Sequence, residues 1–176
     1  FQFVNDLFGG SIPKEYVPAI QKGFESSMQT GVLAGYPVEH MKVRVYDGSY
    51  HDVDSDAMSF ELCAKGGFRE AGRKAKPIIL EPIMKVEVVT PDQYVGGVTG
   101  DLNRRRGVLE GTDTKGNAQV IKAKVPLSEM FSYVAQLRSL TSGRATSTME
   151  FSHYAAAPNG IAEQIISKGK GKGVVA

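Results

Sequence analysis

An ordered series of apolar patterns between residues 83 and 151 constrains the fold more than any other feature of the sequence. Apolar residues that alternate with polar ones predict four strands, at 83–88, 108–111, 121–125 and 145–151. Helical spacing predicts one helix after Pro91 and another from Ser128. The order strand, helix, strand, strand, helix, strand is that of a ferredoxin-like split βαβ sandwich.

Local signals set the limits of these elements. Residues Thr90 to Gln93 resemble a capping box, with Pro91 at the first helical position and the Gln93 side chain reaching back. Gly107 is predicted to end this helix, and the segment 115–117 has turn chemistry. The residues expected on the buried face of the second helix are Met130, Val134 and Leu137. The apolar side of the last strand is expected to carry Ala145, Ser147, Met149 and Phe151.

Residues 1–80 have a different pattern, in which two helices dominate. The first helix is predicted to begin at Pro13 and to carry on one face Val17, Ile20, Phe24 and Met28. The second runs from about residue 56 to residue 75, with Ser55 or Asp54 as its expected N-cap. Its predicted apolar stripe consists of Ala57, Phe60, Ala64, Phe68 and Ala71, widened by Met58 and Leu62.

We place a domain boundary at Glu81-Pro82, where proline breaks an apolar run and the pattern changes. The chain is therefore expected to be an α+β protein with domains at 1–80 and 81–158. Residues 159–176 are predicted to form a short helix and then a flexible, disordered tail of lysine and glycine with weak affinity for RNA.

Composition narrows the class of function. Net charge is only +2, so any RNA binding must use local patches and shape rather than bulk charge. The single Cys63 lies in an apolar helical run and is interpreted as a small core residue of a protein in a reducing compartment. No apolar stretch is long enough to predict a transmembrane helix. Phe1 is not a start methionine and no secretory signal follows it, so we expect a fragment of a longer chain.

A polar loop before the second helix is the first candidate functional feature. A half-buried strand ends at Gly48-Ser49, and the loop then carries Tyr50, His51, Asp52 and Asp54. Imidazole and phenol side chains at the end of rigid elements can stack on a base or ribose and donate to phosphate. The alternative is structural, with the aspartates capping the helix and His51 an ordinary loop histidine.

Arginines in the second half are the other candidates. Three successive arginines, Arg104, Arg105 and Arg106, lie at the end of a predicted helix. Because neighbouring side chains lie about 100° apart around a helix, at least one of the three must point away from the core. Arg138 and Arg144 flank a loop that can present backbone N–H groups to phosphate. The alternatives are a favourable interaction with the helix dipole and a plain connection between helix and strand.

The sequence shows no reaction centre. It lacks the Gly-x-x-x-x-Gly-Lys-Ser/Thr phosphate loop, its cysteine and histidines have no zinc spacing, and Cys63 follows no nucleophile signature. The acids Asp52, Asp54 and Asp56 are interpreted as helix caps rather than cation ligands. We therefore predict no catalytic residue, no metal site and no cofactor within this chain.

Several motifs resemble bacterial elongation factor G, a translational GTPase. Residues 48–55 are similar to the loop at the tip of the fourth domain in that family. Other similar segments lie at 9–16, 33–37, 80–84, 100–107, 125–131 and 136–141. Because these blocks are long, ordered and spread over nearly the whole chain, the resemblance is to domains IV and V of the family.

The resemblance implies an incomplete ribosomal-protein-S5-like βαβ domain, with strands missing before Phe1, followed by a ferredoxin-like domain. It implies a ribosome-binding module that promotes tRNA–mRNA translocation. Its tip residues Ser49, Tyr50, His51 and Asp52 would contact tRNA and mRNA in the A site, and the five arginines would contact ribosomal RNA. GTP and magnesium would belong to a G domain outside this chain. A cytoplasmic monomer that binds the ribosome and no membrane is expected.

Two other functions stay open. A ribosome-recycling factor or a tetracycline ribosomal protection factor would share this pair of folds, although residues 50–55 favour the elongation factor form. A small acyl-phosphate hydrolase would share the ferredoxin-like half. That enzyme needs an anion-binding loop with its own arginine, and no glycine-rich loop of that kind appears in the sequence.

Overall fold

The computed structural model describes residues 1–170, which form two compact units. Unit 1 comprises residues 1–78 together with the C-terminal segment from Pro158, and unit 2 comprises residues 79–157. The elements in chain order are β1 (Gln2–Asn5), α1 (Val17–Met28), β2 (Lys42–Val45), α2 (Ala57–Lys74), β3 (Leu80–Pro91), α3 (Val95–Arg104), β4 (Val108–Lys115), β5 (Ala118–Pro126), α4 (Tyr133–Thr141), β6 (Thr146–Ala156) and α5 (Asn159–Lys170). The expected α+β class is confirmed.

The predicted boundary at Glu81-Pro82 is wrong by a few residues. Both residues lie inside β3, where Glu81 pairs with Ala155 and Pro82 with Tyr154. Pairing with one neighbouring strand outweighs the local tendency of proline to interrupt a strand. The division between the units falls between Ile78 and Ile79.

Unit 1 contains a βαβ unit in which β1 and β2 pair in parallel, from Gln2 opposite Lys42 to Asn5 opposite Val45. One apolar cluster of unit 1 consists of the buried and partly buried residues Ile12, Ile20, Ala64, Phe3, Leu7, Tyr16, Phe24, Val45 and Phe60. The helices α1 and α2 approach closely at Gly23, where a Cβ atom would lie 2.6 Å from the carbonyl oxygen of Glu61.

The predicted stripe of α2 is only partly correct. Phe60, Ala64 and Phe68 face the inside of unit 1, but Met58 and Leu62 are exposed. Cys63 is also exposed, so its interpretation as a core residue is wrong. The inward positions recur every four residues, and side chains about 100° away around the helix therefore face outward.

Unit 2 is a four-stranded antiparallel sheet in the order β4-β5-β3-β6. Because β5 lies between β3 and β4, this is the predicted split βαβ topology. Its core consists of Val86, Val88, Val98, Leu102, Ile121, Ala123, Val125, Met130, Tyr133, Leu137 and Ala145. The expected turn joins β4 to β5, with Gly116 in the left-handed region at φ 62°.

Two details of unit 2 differ from expectation. The Thr90 capping box does not form, because Thr90 is fully buried in β3 and a short 3₁₀ turn without a side-chain cap precedes α3. Another 3₁₀ turn occupies Leu127–Glu129, so α4 begins at Tyr133 and buries Tyr133 instead of Val134.

The apolar side of β6 is buried only at its start. Ala145, just before the strand, is buried and Ser147 is half-buried, but Met149 and Phe151 are exposed. The reason is that β6 is an edge strand, and residues on an edge lack neighbours on one side.

The C-terminal helix α5 belongs to unit 1, and it continues through Lys170. The first part of the lysine- and glycine-rich segment is therefore helical, and the rest of the predicted tail lies outside the described residues. Gly169 is buried against Ala34, where a Cβ atom would come within 2.8 Å of the Ala34 backbone. Within residues 1–170, no helix has the length and apolar character needed to cross a membrane.

Candidate functional site

The four tip residues predicted from sequence lie together in one exposed loop of unit 1. This loop joins β2 to α2, and Ser49, Tyr50, His51 and Asp52 are all exposed in it. A phenol, an imidazole and a carboxylate group thus reach solvent from a single short segment. They offer ring faces for stacking and polar groups for hydrogen bonding.

The start of the loop is fixed by a close contact with the core. A Cβ atom on Gly48 would lie 2.4 Å from Cδ1 of the buried Ile12, so a larger residue here would require the Ile12 side chain to move. The Gly48 N–H also donates to Oδ1 of Asp47 at 2.8 Å. The loop therefore leaves the core at a defined point.

The end of the loop is closed by three hydrogen bonds that meet at Ser55. The His51 N–H donates to Oγ of Ser55 at 3.0 Å, and the Ser55 N–H donates to the His51 carbonyl at 3.1 Å. The Tyr16 hydroxyl donates to the Ser55 carbonyl at 3.2 Å. The Tyr16 ring stacks on Phe60 of α2, with centroids 4.8 Å apart.

Of Asp52, Asp54 and Asp56, only Asp56 caps α2, and it is neither of the expected N-cap residues. Asp56 is the N-cap, and its Oδ1 accepts from the Ser59 N–H at 2.6 Å. Hydrogen bonds from the Ser59 hydroxyl and amide hold the pKa of Asp56 below its ordinary value. The capping role proposed for Asp52 and Asp54 is not observed, and both side chains are exposed.

Of the arginine triplet, Arg105 is held by partners inside unit 2. Its Nε donates to Oδ2 of Asp101 at 2.8 Å, and its guanidinium lies 5.1 Å from the ring centroid of Tyr133. It also donates to the backbone carbonyl of Glu129. Only 17% of this side chain is exposed.

Arg106 is also held by partners inside unit 2. Its two Nη atoms donate to the two carboxylate oxygens of Glu81 at 2.9 and 2.8 Å, and its Nε donates to Glu129 at 3.1 Å. The hydrogen bonds to Glu81, and then the one to Glu129, raise the pKa of Arg106, while burial acts in the opposite direction. The guanidinium groups of Arg105 and Arg106 are therefore occupied by structural interactions.

The other three candidate arginines face solvent. Arg104 is 72% exposed and has only a 3.3 Å contact with Asp101. Arg138 is exposed in the last turn of α4, and Arg144 is exposed in the loop between α4 and β6. Arg138 also lines a shallow groove of about 220 Å³ between these elements, with Val134, Leu137, Ala145, Thr146 and Ser147. These are the arginines of the set that an external phosphate can reach.

Within residues 1–170, no three His, Cys, Asp or Glu side chains are grouped so that they could hold a metal ion. The geometry is that of two surfaces for contact, a tip loop in unit 1 and exposed arginines in unit 2. Sequence reasoning missed Tyr16 and Phe60 as supports of the tip, because a stacked pair 44 positions apart leaves no local signal.

Comparison with known families assigns both units. The family model described as elongation factor G, domain IV, matches residues 1–76. The model described as elongation factor G C-terminus matches residues 78–165. The chain belongs to the elongation factor G family. The tip loop lies within the domain IV match, and the five arginines lie within the C-terminal match.

Curated members of the elongation factor G family are similar along nearly the whole chain. The protein from Amoebophilus asiaticus (strain 5a2) is 59% identical over 170 residues, which are 97% of this chain and 24% of that protein. The one from Cytophaga hutchinsonii is 61% identical over 173 residues, or 98% of this chain and 25% of that protein. Both are named elongation factor G. The chain spans about a quarter of the length of these relatives.

A solved structure agrees with the fold. The crystal structure of a protein from Thermus thermophilus matches with a TM-score of 0.87 and 40% sequence identity. The match covers 98% of this chain and 26% of that protein.

Proposed function

We propose that this chain is the ribosome-binding C-terminal part of an elongation factor G that promotes translocation of tRNA and mRNA. The observation that carries the proposal is the exposed tip loop within the domain IV match, with His51 between Tyr50 and Asp52. In this proposal the tip enters the A site, contacts the tRNA anticodon stem and mRNA, and blocks their backward movement. The names of both curated relatives favour this function over a tetracycline ribosomal protection factor.

The arginines of unit 2 are proposed to contact ribosomal RNA. Arg104, Arg138 and Arg144 are the members of the predicted set that we retain for this role, because their guanidinium groups face solvent. Arg105 and Arg106 are assigned to the stability of unit 2. Ribosomal proteins are proposed partners as well, and the factor is proposed to act as a cytoplasmic monomer.

GTP hydrolysis is proposed to belong to the part of the full-length factor that corresponds to the other three quarters of the relatives. GTP and magnesium would bind there. In this arrangement the chain described here has no catalytic residue, and its contribution is to hold tRNA and mRNA in their advanced position.

Replacement of His51 by Ala in the full-length factor tests the proposal. We expect GTP hydrolysis to be unchanged and single-round translocation to slow by roughly tenfold, since a stacking contact with a base is typically worth about 1–3 kcal/mol. Because the side chain is exposed, stability should change by less than about 0.5 kcal/mol. The matched control is His153→Ala, which removes an exposed histidine from unit 2.

The measurement is the rate of tRNA–mRNA movement on ribosomes, with GTP turnover followed in parallel. An unchanged rate of movement for His51→Ala would contradict the proposed role of the tip. An equal fall in both rates would place the effect of His51 on folding or ribosome binding instead.

A further inference from the structure

We propose that Tyr16 is a positioning residue for the tip loop, acting through Ser55 to hold the main chain of His51 in place for contact with RNA. This inference rests on the function proposed for the tip. It assigns a role to a residue outside the loop, at the 3₁₀ turn that precedes α1.

The connection between Tyr16 and His51 has two consecutive steps. The Tyr16 hydroxyl donates to the Ser55 carbonyl at 3.2 Å. Ser55 in turn makes two hydrogen bonds to His51, one through its Oγ and one through its backbone N–H. A single residue thus joins the hydroxyl of Tyr16 to both backbone polar groups of His51.

The Tyr16 ring gives this connection a rigid base. It is half-buried, stacks on Phe60 at an interplanar angle of 21°, and packs against the core of unit 1. The exposed loop has little apolar packing of its own, and such loops open most easily. A loop that is already ordered loses less conformational entropy when it binds. The hydrogen bonds from Tyr16 through Ser55 should therefore favour contact between His51 and RNA.

The ring and the hydroxyl of Tyr16 can be separated by experiment. Tyr16→Phe keeps the stacked ring and removes only the donor to Ser55, whereas Ser55→Ala removes the acceptor of the His51 N–H. The matched control is Tyr36→Phe, because Tyr36 is an exposed tyrosine of unit 1 whose hydroxyl makes no hydrogen bond within residues 1–170.

Two measurements on the intact factor decide the inference. Hydrogen exchange in the peptide that contains residues 50–56 should become about three- to tenfold faster in Tyr16→Phe and Ser55→Ala, as expected for loss of one neutral hydrogen bond, and should be unchanged in Tyr36→Phe. Single-round translocation by Tyr16→Phe should slow about two- to tenfold, with GTP turnover unchanged.

A double variant distinguishes positioning from a general structural effect. If Tyr16 acts through His51, Tyr16→Phe should cause no further slowing of translocation in a factor that already carries His51→Ala. Additive effects, or unchanged exchange at residues 50–56, would overturn the inference. If His51→Ala alone leaves translocation unchanged, the proposed function fails, and the exchange measurement still decides whether Tyr16 holds the loop.

Discussion

At the scale of single residues, the hydroxyl group of Tyr133 is buried but unpaired in the described part of the chain. Its side chain is 3% exposed, and its hydroxyl has no hydrogen-bond partner among residues 1–170. Tyr133→Phe should therefore stabilise unit 2 by about 1 kcal/mol, because it removes an unsatisfied buried group and keeps the ring. Urea unfolding followed by circular dichroism measures the change, and a clear loss of stability would show that the hydroxyl is satisfied.

The same residue predicts a pH dependence. Burial, and next the charge of Asp101, raise the pKa of Tyr133 to about 12, while Arg105 acts in the opposite direction. An unfolded tyrosine loses its proton near pH 10, so stability should fall by roughly 2 kcal/mol as pH rises from about 10 to 12. Tyr133→Phe should lack this part of the fall.

The neighbouring arginines Arg104 and Arg106 provide a second residue-scale prediction. Arg106→Ala leaves the carboxylate of Glu81, only 9% exposed, without its guanidinium partner, and should destabilise unit 2 by about 3 kcal/mol. Arg104→Ala, at a side chain that is 72% exposed, should change stability by less than about 0.5 kcal/mol. Equal effects in thermal unfolding would contradict the structural assignment of Arg106.

The sequence could not distinguish the members of this triplet. It showed that at least one arginine must point outward, and Arg104 does. The choice depends on Glu81 and Glu129, which bind Arg106 and lie 25 and 23 positions from it in the chain. The same limit applies to the tip, whose residues were recognised from one short segment while its support at Tyr16 was not.

At the scale of elements, the packing of α1 on α2 depends on the absence of a side chain at Gly23. A Cβ atom there would lie 2.6 Å from the Glu61 carbonyl and 2.7 Å from Cβ of Ala64, so Gly23→Ala should destabilise unit 1 by about 1–2 kcal/mol despite the better helix propensity of alanine.

The matched control for Gly23→Ala is Gly66→Ala within α2. No atom lies within 4 Å of the added Cβ at Gly66, so alanine should stabilise by about 0.5–1 kcal/mol through propensity alone. Opposite signs in denaturant unfolding are expected for the two variants. The same sign for both would show that the helices do not meet at Gly23.

Elements with strong periodicity were predicted well, because burial on one face imposes the pattern directly. In β5, the alternating residues Ile121, Ala123 and Val125 are all fully buried, as expected. The capping box at Thr90 failed because that residue pairs with Gln119 and continues β3. A local pattern that fits both a helix cap and a strand is resolved by pairing with another strand. Such tertiary pairing cannot be read from a single sequence.

At the scale of the whole molecule, the sequence indicated two folded halves but not which half contains the last helix. The grouping of α5 with unit 1 depends on contacts with residues more than 100 positions earlier, such as Gly169 with Ala34. Only unit 2 is therefore continuous in sequence. A fragment of residues 79–157 contains the complete sheet and core of that unit, and it should fold alone.

The last prediction tests the grouping of α5 within the full chain. Gly169→Ala would place a Cβ atom 2.8 Å from the backbone of Ala34, so it should destabilise unit 1 by about 1–3 kcal/mol. Gly160→Ala is the matched control in the same helix, because nothing lies within 4 Å of the added atom. The isolated 79–157 fragment identifies the unfolding transition of unit 2, which should stay at the same urea concentration in both variants. If Gly169→Ala shifts that transition instead, or if the fragment does not fold, α5 supports unit 2 and the division into units is wrong.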